Sequence, residues 1–191
     1  MSGAGGERVR LFVALDLPED VRAYFARWRS SVVRQSDALR PVAPERLHVT
    51  LCFLGGTPVG EVAAIASACE AALSPRSLRE LSVKDGVWLP PRRPRVLAIR
   101  LADPSGGLAS TQSAISESLS AGGWYTPEKR PFLAHVTVAR IAARARLQPP
   151  ELPPLEALSF AAPAITLYRS RLERSGARYE RLRSFSLVPA G

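Results

Sequence analysis

The sequence predicts an α+β fold of two pseudo-symmetric lobes. Each lobe is a small, mostly antiparallel sheet with outer helices, and together they form a central cleft that carries two matched strands. Three observations predict this. Short β-branched runs alternate with longer amphipathic stretches, and Gly- and Pro-rich breaks separate them. The order strand, helix, strand occurs over 8–54 and again over 96–140, with a similar interval from first strand to histidine. The chain's two histidines each open an H-x-T triplet, His48-Val49-Thr50 and His135-Val136-Thr137. Residues i and i+2 of a strand share a face. His48 with Thr50, and His135 with Thr137, therefore face the cleft, while Val49, Leu51, Val136 and Val138 face a core.

The elements follow in order. Residues 8–16 are a continuous apolar run, as in a strand buried on both faces. Pro18-Glu19-Asp20 starts a helix, with proline and acidic residues in its first turn. Val21, Tyr24, Phe25, Trp28 and Val32 form its apolar stripe, with Arg22, Arg27, Arg29 and Arg34 off it. A Pro-punctuated loop over 40–45 delivers the first H-x-T strand, which Gly55-Gly56 ends. A second helix is expected over about 59–73, with Val62, Ile65, Ala66 and Cys69 on one stripe.

Residues 79–89 read as a strand interrupted by a turn or bulge at Asp85-Gly86. A basic, Pro-rich loop (90–95) leads to a strand over 96–101. Ser105-Gly106-Gly107 opens a helix with Leu108, Ile115 and Leu119 at helical spacing, and Gly122-Gly123 ends it. A loop with Lys129 and Arg130 precedes the second H-x-T strand. The Pro-rich stretch beyond Ile141 has no regular structure, and strands over about 164–170 and 179–187, with a turn at Ser175-Gly176, close the chain. The whole reads as one domain, 1–191, with a first lobe over roughly 8–90 plus a C-terminal contribution and a second over roughly 95–170.

Hydrophobic content of 46% with 23% charged residues suits a globular chain with a sizeable core. No apolar run approaches the roughly 18–20 residues of a membrane span, and the Gly-rich N-terminus, Met1 to Glu7, lacks a signal peptide's apolar stretch. A cytoplasmic protein, away from membranes, is expected. Two cysteines, Cys52 and Cys69, make no disulfide framework, and zinc-ligand spacing is absent, so no metal is expected. The net charge of +9 favours a polyanionic partner such as nucleic acid, although an Arg- and Ala-rich composition also arises from genomic base content.

Two imidazoles and two hydroxyls at one cleft suit acid–base chemistry on a phosphate. Imidazole, with a pKa near ~6.5, gives or takes a proton near neutrality. The Thr50 and Thr137 hydroxyls can donate to non-bridging phosphate oxygens. A lone histidine on a half-buried strand is ordinarily structural; the matching triplets favour catalysis. Phe53, Phe132, Trp88 and Trp124 are each either core or a platform for a nucleobase. The arginines of 92–95 are either solvated or contacts to an RNA backbone. Cys52 shares parity with His48 and Thr50, which places it on the cleft lining.

These residues resemble the two-histidine (2H) phosphoesterases, and within them the bacterial RNA 2′,3′-cyclic phosphodiesterases, also called 2′-5′ RNA ligases. The likeness covers most of the chain. It includes residues 10–15, the L-H-x-T-x-x-F-L-G block from Leu47 to Gly55, Pro94-Arg95-Val96-Leu97, Pro131-Phe132, His135 to Arg140, and Tyr168-Arg169-Ser170 with Leu172, Gly176 and Tyr179. Ala134 stands where the family usually has proline, and Cys52 replaces a commonly polar position.

The resemblance implies a hydrolase that opens RNA terminal 2′,3′-cyclic phosphates, those of tRNA fragments among the candidates, to 2′-phosphates, with slow reverse 2′-5′ ligation. It implies no cofactor and a monomer, with His48 as proton donor, His135 as proton acceptor, and Arg140 joining Thr50 and Thr137 on the phosphate. Strict alternation puts Arg140 on the face opposite His135, so that role requires the strand to end or bulge first. The alternatives are hydrolysis of a small cyclic nucleotide or ADP-ribose cyclic phosphate, and a non-catalytic RNA-binding module.

Overall fold

The computed structural model describes residues 7–73, 78, 80–173 and 176–188. The Gly-rich residues 1–6, Arg79 of the strand expected over 79–89, and Ser175 of the expected turn lie outside them. The strands are β1 (Arg8–Asp16), β2 (Leu39–Pro41), β3 (His48–Pro58), β4 (Leu81–Leu89), β5 (Val96–Ala102), β6 (His135–Ile141), β7 (Ser159–Phe160), β8 (Ala164–Glu173) and β9 (Gly176–Ser186). The helices are α1 (Glu19–Val33), α2 (Val62–Leu73) and α3 (Gly107–Ala121). No helix among the described residues is long and apolar enough to cross a membrane.

Strand pairing is antiparallel throughout and runs β7-β4-β5-β6-β3-β1-β8-β9, with β2 alongside β6. Two four-stranded halves are thus joined edge to edge where Val49 lies opposite Val136. Those are the middle residues of the two H-x-T triplets. Residues 81–89 pair with β5 in the second half, and 164–173 with β1 in the first. The first half takes its outer strands, β8 and β9, from the C-terminal stretch of the chain.

Each H-x-T strand carries a one-residue bulge just after its threonine. Ala14 faces Thr50 and Val13 faces Cys52, so Leu51 is the extra residue of β3. Ala98 faces Thr137 and Leu97 faces Ala139, so Val138 is the extra residue of β6. An extra residue reverses the parity of everything that follows. Arg140 accordingly returns to the face of His135 and Thr137. Cys52 turns the other way into the core, 1% exposed, which corrects its expected place on the cleft lining. A second shift follows, with Gly55 at φ 71°, and β3 continues to Pro58 instead of ending at the glycines.

Helices cover the sheet face away from the triplets. Arg29 of α1 donates from Nη1 to the carbonyl of Val138 at 3.1 Å, and Gln112 of α3 donates from Nε2 to the carbonyl of Leu51 at 3.3 Å. Each helix therefore braces the bulge of the opposite half. Helical spacing sets Arg29 off the apolar stripe, yet it is 7% exposed, one turn on from Phe25, and burial lowers its pKa. The strands β2 and β7, three and two residues long, lie in stretches whose prolines read as loop. Residues 142–158 carry no helix or strand and strap the open edge of β4. There the indole N–H groups of Trp28 and Trp88 donate to the carbonyls of Pro153 and Pro150, both at 3.2 Å.

This packing has measurable consequences. A Cβ on Gly86 would stand 2.5 Å from the Trp28 ring, so Gly86→Val should destabilise by about 1–3 kcal/mol, while Gly56→Ala meets only ordinary contact. Urea unfolding midpoints measure both. Cys52 and Cys69 are buried thiols whose pKa burial pushes up to about 12. The native protein should resist alkylation at pH 8, and both thiols should react once urea unfolds it, as counted by mass spectrometry.

Candidate active site

The seam of the sheet positions the site. His48 opens β3 directly after a single 3₁₀ turn, Pro44–Arg46, and its Nδ1–H donates to the Arg46 carbonyl at 2.7 Å. His135 opens β6 and its Nδ1–H donates to the Leu133 carbonyl at 2.8 Å. A carbonyl only accepts, so in each ring Nδ1 carries the hydrogen and Nε2 is left to exchange a proton. The two histidines are held alike, each by the carbonyl two residues before it.

The register carries the rest. With Val49 opposite Val136, continuing the antiparallel ladder sets His48 beside Thr137 and Thr50 beside His135. The Thr50 hydroxyl donates to Nε2 of His48 at 3.1 Å. Beyond the bulges, Phe53 and Arg140 occupy corresponding positions at opposite ends of the seam, as do Leu133 and Arg46. One end is therefore apolar and the other basic. At the apolar end a groove of about 1220 Å³ opens, lined by Thr50, Phe53, Trp88, Phe132, Leu133 and His135 among others. Phe53 and Leu133 are 49% and 41% exposed there, which is unusual for large apolar side chains. Trp124 instead donates its indole N–H to Glu61 at 3.0 Å and packs against the core.

Behind His48 stands a wall that the sequence pattern does not disclose. Phe12 lies 5.0 Å from the His48 ring and Tyr179 lies 5.4 Å from it, centroid to centroid, and Phe12 stacks on Tyr168 at 5.1 Å. Asp16, 4% exposed, accepts from the Tyr168 hydroxyl at 2.7 Å and from Thr166 Oγ1 at 2.9 Å, and it pairs with Arg181 at 3.3 Å. Phe12 and Asp16 have the parity of a cleft-facing set on β1. Their partners come from β8 and β9, at the far end of the chain, so only the pairing order exposes them. Burial lowers the His48 pKa below 6.5. The Arg46 carbonyl and Asp16 oppose that shift, and Arg140 and His135 add to it. Burial and the Asp16 carboxylate raise the Tyr168 pKa, so its hydroxyl stays a donor.

The structure thus brings His48, Thr50, His135, Thr137 and Arg140 to one face and puts Phe53 and Phe132 on the adjoining groove; Cys52 is excluded. Two ring nitrogens that exchange protons, two hydroxyls and a guanidinium are a set for acid–base catalysis on a phosphate ester. Among the described residues, no three His, Cys, Asp or Glu side chains group to hold a metal ion.

Residues 15–98 match the family model described as LigT like Phosphoesterase. The chain is 32% identical over 183 residues to an RNA 2′,3′-cyclic phosphodiesterase of Escherichia coli K12, covering 95% of this chain and 98% of that protein. It is similar to the crystal structure of TT0787 of Thermus thermophilus, with TM-score 0.82 and 28% identity over 95% of this chain and 100% of that one. It is also similar to E. coli LigT complexed with ATP, with TM-score 0.77 and 29% identity over 95% and 99%. With its paired H-x-T strands set about one seam, this chain belongs to the LigT-like, two-histidine phosphoesterase family.

Proposed function

We propose that this chain hydrolyses the terminal 2′,3′-cyclic phosphate of RNA to a 2′-phosphate, using His48 as proton donor and His135 as proton acceptor. The observation that supports the proposal is the Val49–Val136 pairing, which runs the His48–Thr50 and His135–Thr137 pairs side by side along one seam, with Nδ1 of each ring turned to a carbonyl. A water oxygen attacks phosphorus and gives its proton to His135. The P–O3′ bond breaks, and His48 delivers a proton to the departing 3′-oxygen. Thr50, Thr137 and Arg140 hold the non-bridging oxygens, whose negative charge is greatest in the transition state. With an RNA 5′-hydroxyl in place of water as the nucleophile, the same proton transfers join two ends through a 2′-5′ bond.

Phe53 and Phe132 form the wall for the terminal nucleobase, where stacking contributes about 1–3 kcal/mol per base. The related E. coli protein supports a nucleotide ligand, since it has been crystallised with ATP and with 3′-AMP. The net charge of +9 supports a polyanionic one. A small cyclic nucleotide is the second reading. The groove of about 1220 Å³ exceeds the roughly 300–1,000 Å³ of a pocket built for one small ligand, which favours an oligonucleotide. Rates on a cyclic-phosphate-ended oligonucleotide and on a cyclic mononucleotide separate the two.

His48→Ala and His135→Ala should each lower the hydrolysis rate by about 10²–10⁴ while leaving the circular dichroism spectrum unchanged. Thr50→Ala and Thr137→Ala should each cost about 1.5–3 kcal/mol of transition-state stabilisation, read from kcat/KM. Hydrolysis should survive EDTA and need no ATP, because acid, base and oxyanion contacts all come from side chains. Activity lost to the chelator and restored by a divalent ion would contradict that mechanism.

A further inference from the structure

The two halves correspond residue by residue around the seam and differ in sign at one position. β1 sets Leu15 opposite Val49 and Ala14 opposite Thr50; β5 sets Ile99 opposite Val136 and Ala98 opposite Thr137. At the next position β1 sets Asp16 opposite His48, whereas β5 sets Arg100 opposite His135. Opposed residues of an antiparallel ladder have Cα atoms about 4.5–5.5 Å apart and side chains on one face. Resting on the function proposed above, we infer that Asp16 is the positioning residue that makes His48 the proton donor. The carboxylate beside His48 favours a proton on that ring against the burial that disfavours it, whereas the position opposite His135 carries no carboxylate.

The charges around His48 come from every element packed on it. Asp16 faces it from β1, Arg140 and His135 from β6 and Tyr179 from β9, with the Arg46 carbonyl at Nδ1; Tyr168 of β8 and Arg181 of β9 stand behind, on Asp16. Burial, Arg140 and His135 all oppose a proton on His48, and Asp16 is the carboxylate that opposes them. Its ion-pair partner offsets it only in part. The Arg181 side chain is 57% exposed and screened by water, while the Asp16 side chain is 5% exposed. Arg100, in turn, is held by a bidentate pair to the Asp85 carboxylate.

NMR titration of the His48 ring in the full chain tests this without substrate. Asp16→Asn is expected to lower the His48 midpoint by about one pH unit. Arg181→Gln, at a half-exposed site, is expected to raise it. The asparagine amide can enter the same network, because Thr166 Oγ1 also meets Ser184 Oγ at 2.8 Å and that hydroxyl chain can reverse its direction. On an RNA 2′,3′-cyclic phosphate at pH 7, Asp16→Asn should lose roughly tenfold or more in rate, because the protonated fraction of His48 falls about tenfold when its midpoint drops by that much. On the analogue with sulfur at the bridging 3′ position that loss should vanish, since a thiolate leaves without a proton.

Unmoved midpoints in both variants overturn the inference, as does a full loss of rate that persists on the sulfur analogue. Should Asp16→Asn fail to fold, Arg181→Gln decides by itself, and an unshifted or lowered midpoint counts against Asp16. A wild-type protein inert on every cyclic phosphate would instead defeat the proposed function, with the His48 midpoints still reporting on Asp16.

Discussion

Two extra residues, Leu51 and Val138, determine where the chemistry of this protein points. A strand that alternates without interruption would carry His135 and Thr137 to one face and Arg140 to the other. The bulge at Val138 rotates Arg140 back, and the bulge at Leu51 does the same for Phe53 while turning Cys52 into the core. A bulge leaves backbone groups outside the regular ladder, and a buried carbonyl without a donor is costly. Here the helices supply the donors: Gln112 reaches the carbonyl of Leu51, and Arg29 reaches that of Val138, which also accepts from the Val42 amide at 2.9 Å. A guanidinium drawn into an apolar stripe is the cost of that arrangement.

The seam depends on those bulges. β3 and β6 meet where Val49 opposes Val136, and the strand twist together with the bulges lets the two halves splay on either side. At one end β2 fills the gap by pairing with β6, and Arg40, Arg46 and Arg140 gather on the flanking elements. At the other end no strand enters, and Phe53, Phe132 and Leu133 line an open groove. A symmetric frame thus carries an asymmetric site, basic where a phosphate's charge is best met and apolar where a base is best stacked.

Pseudo-symmetry also leaves the two histidines equivalent in their immediate hydrogen bonds, since each ring is oriented by the carbonyl two residues earlier. What distinguishes them lies one layer further out. His48 has an aromatic wall of Phe12, Tyr168 and Tyr179 with a buried carboxylate behind it, whereas His135 opens onto the groove. Burial without Asp16 would favour only the neutral form of His48. Two like residues thus stand in unlike surroundings, as paired carboxylates do in other hydrolases.

The order of the long elements, the core stripe of α1, the two H-x-T strands and the shared face of each His–Thr pair are legible in the bare sequence. All of these rest on local periodicity: side chains two apart in a strand, or three and four apart in a helix, are bound to meet. The remainder came from long-range pairing. Parity beyond each threonine depends on bulges that are defined only by the partner strand, so alternation alone points Cys52 outward although it is buried. For the same reason Arg140 needed an assumption that the pairing with Val96 removes. Arg29 reads as surface because arginine is nearly always exposed, and it is buried with its guanidinium donating to a bulged carbonyl across the core. The wall of Asp16, Phe12, Tyr168 and Tyr179 joins strands from opposite ends of the chain, and no local pattern records which strands will lie side by side.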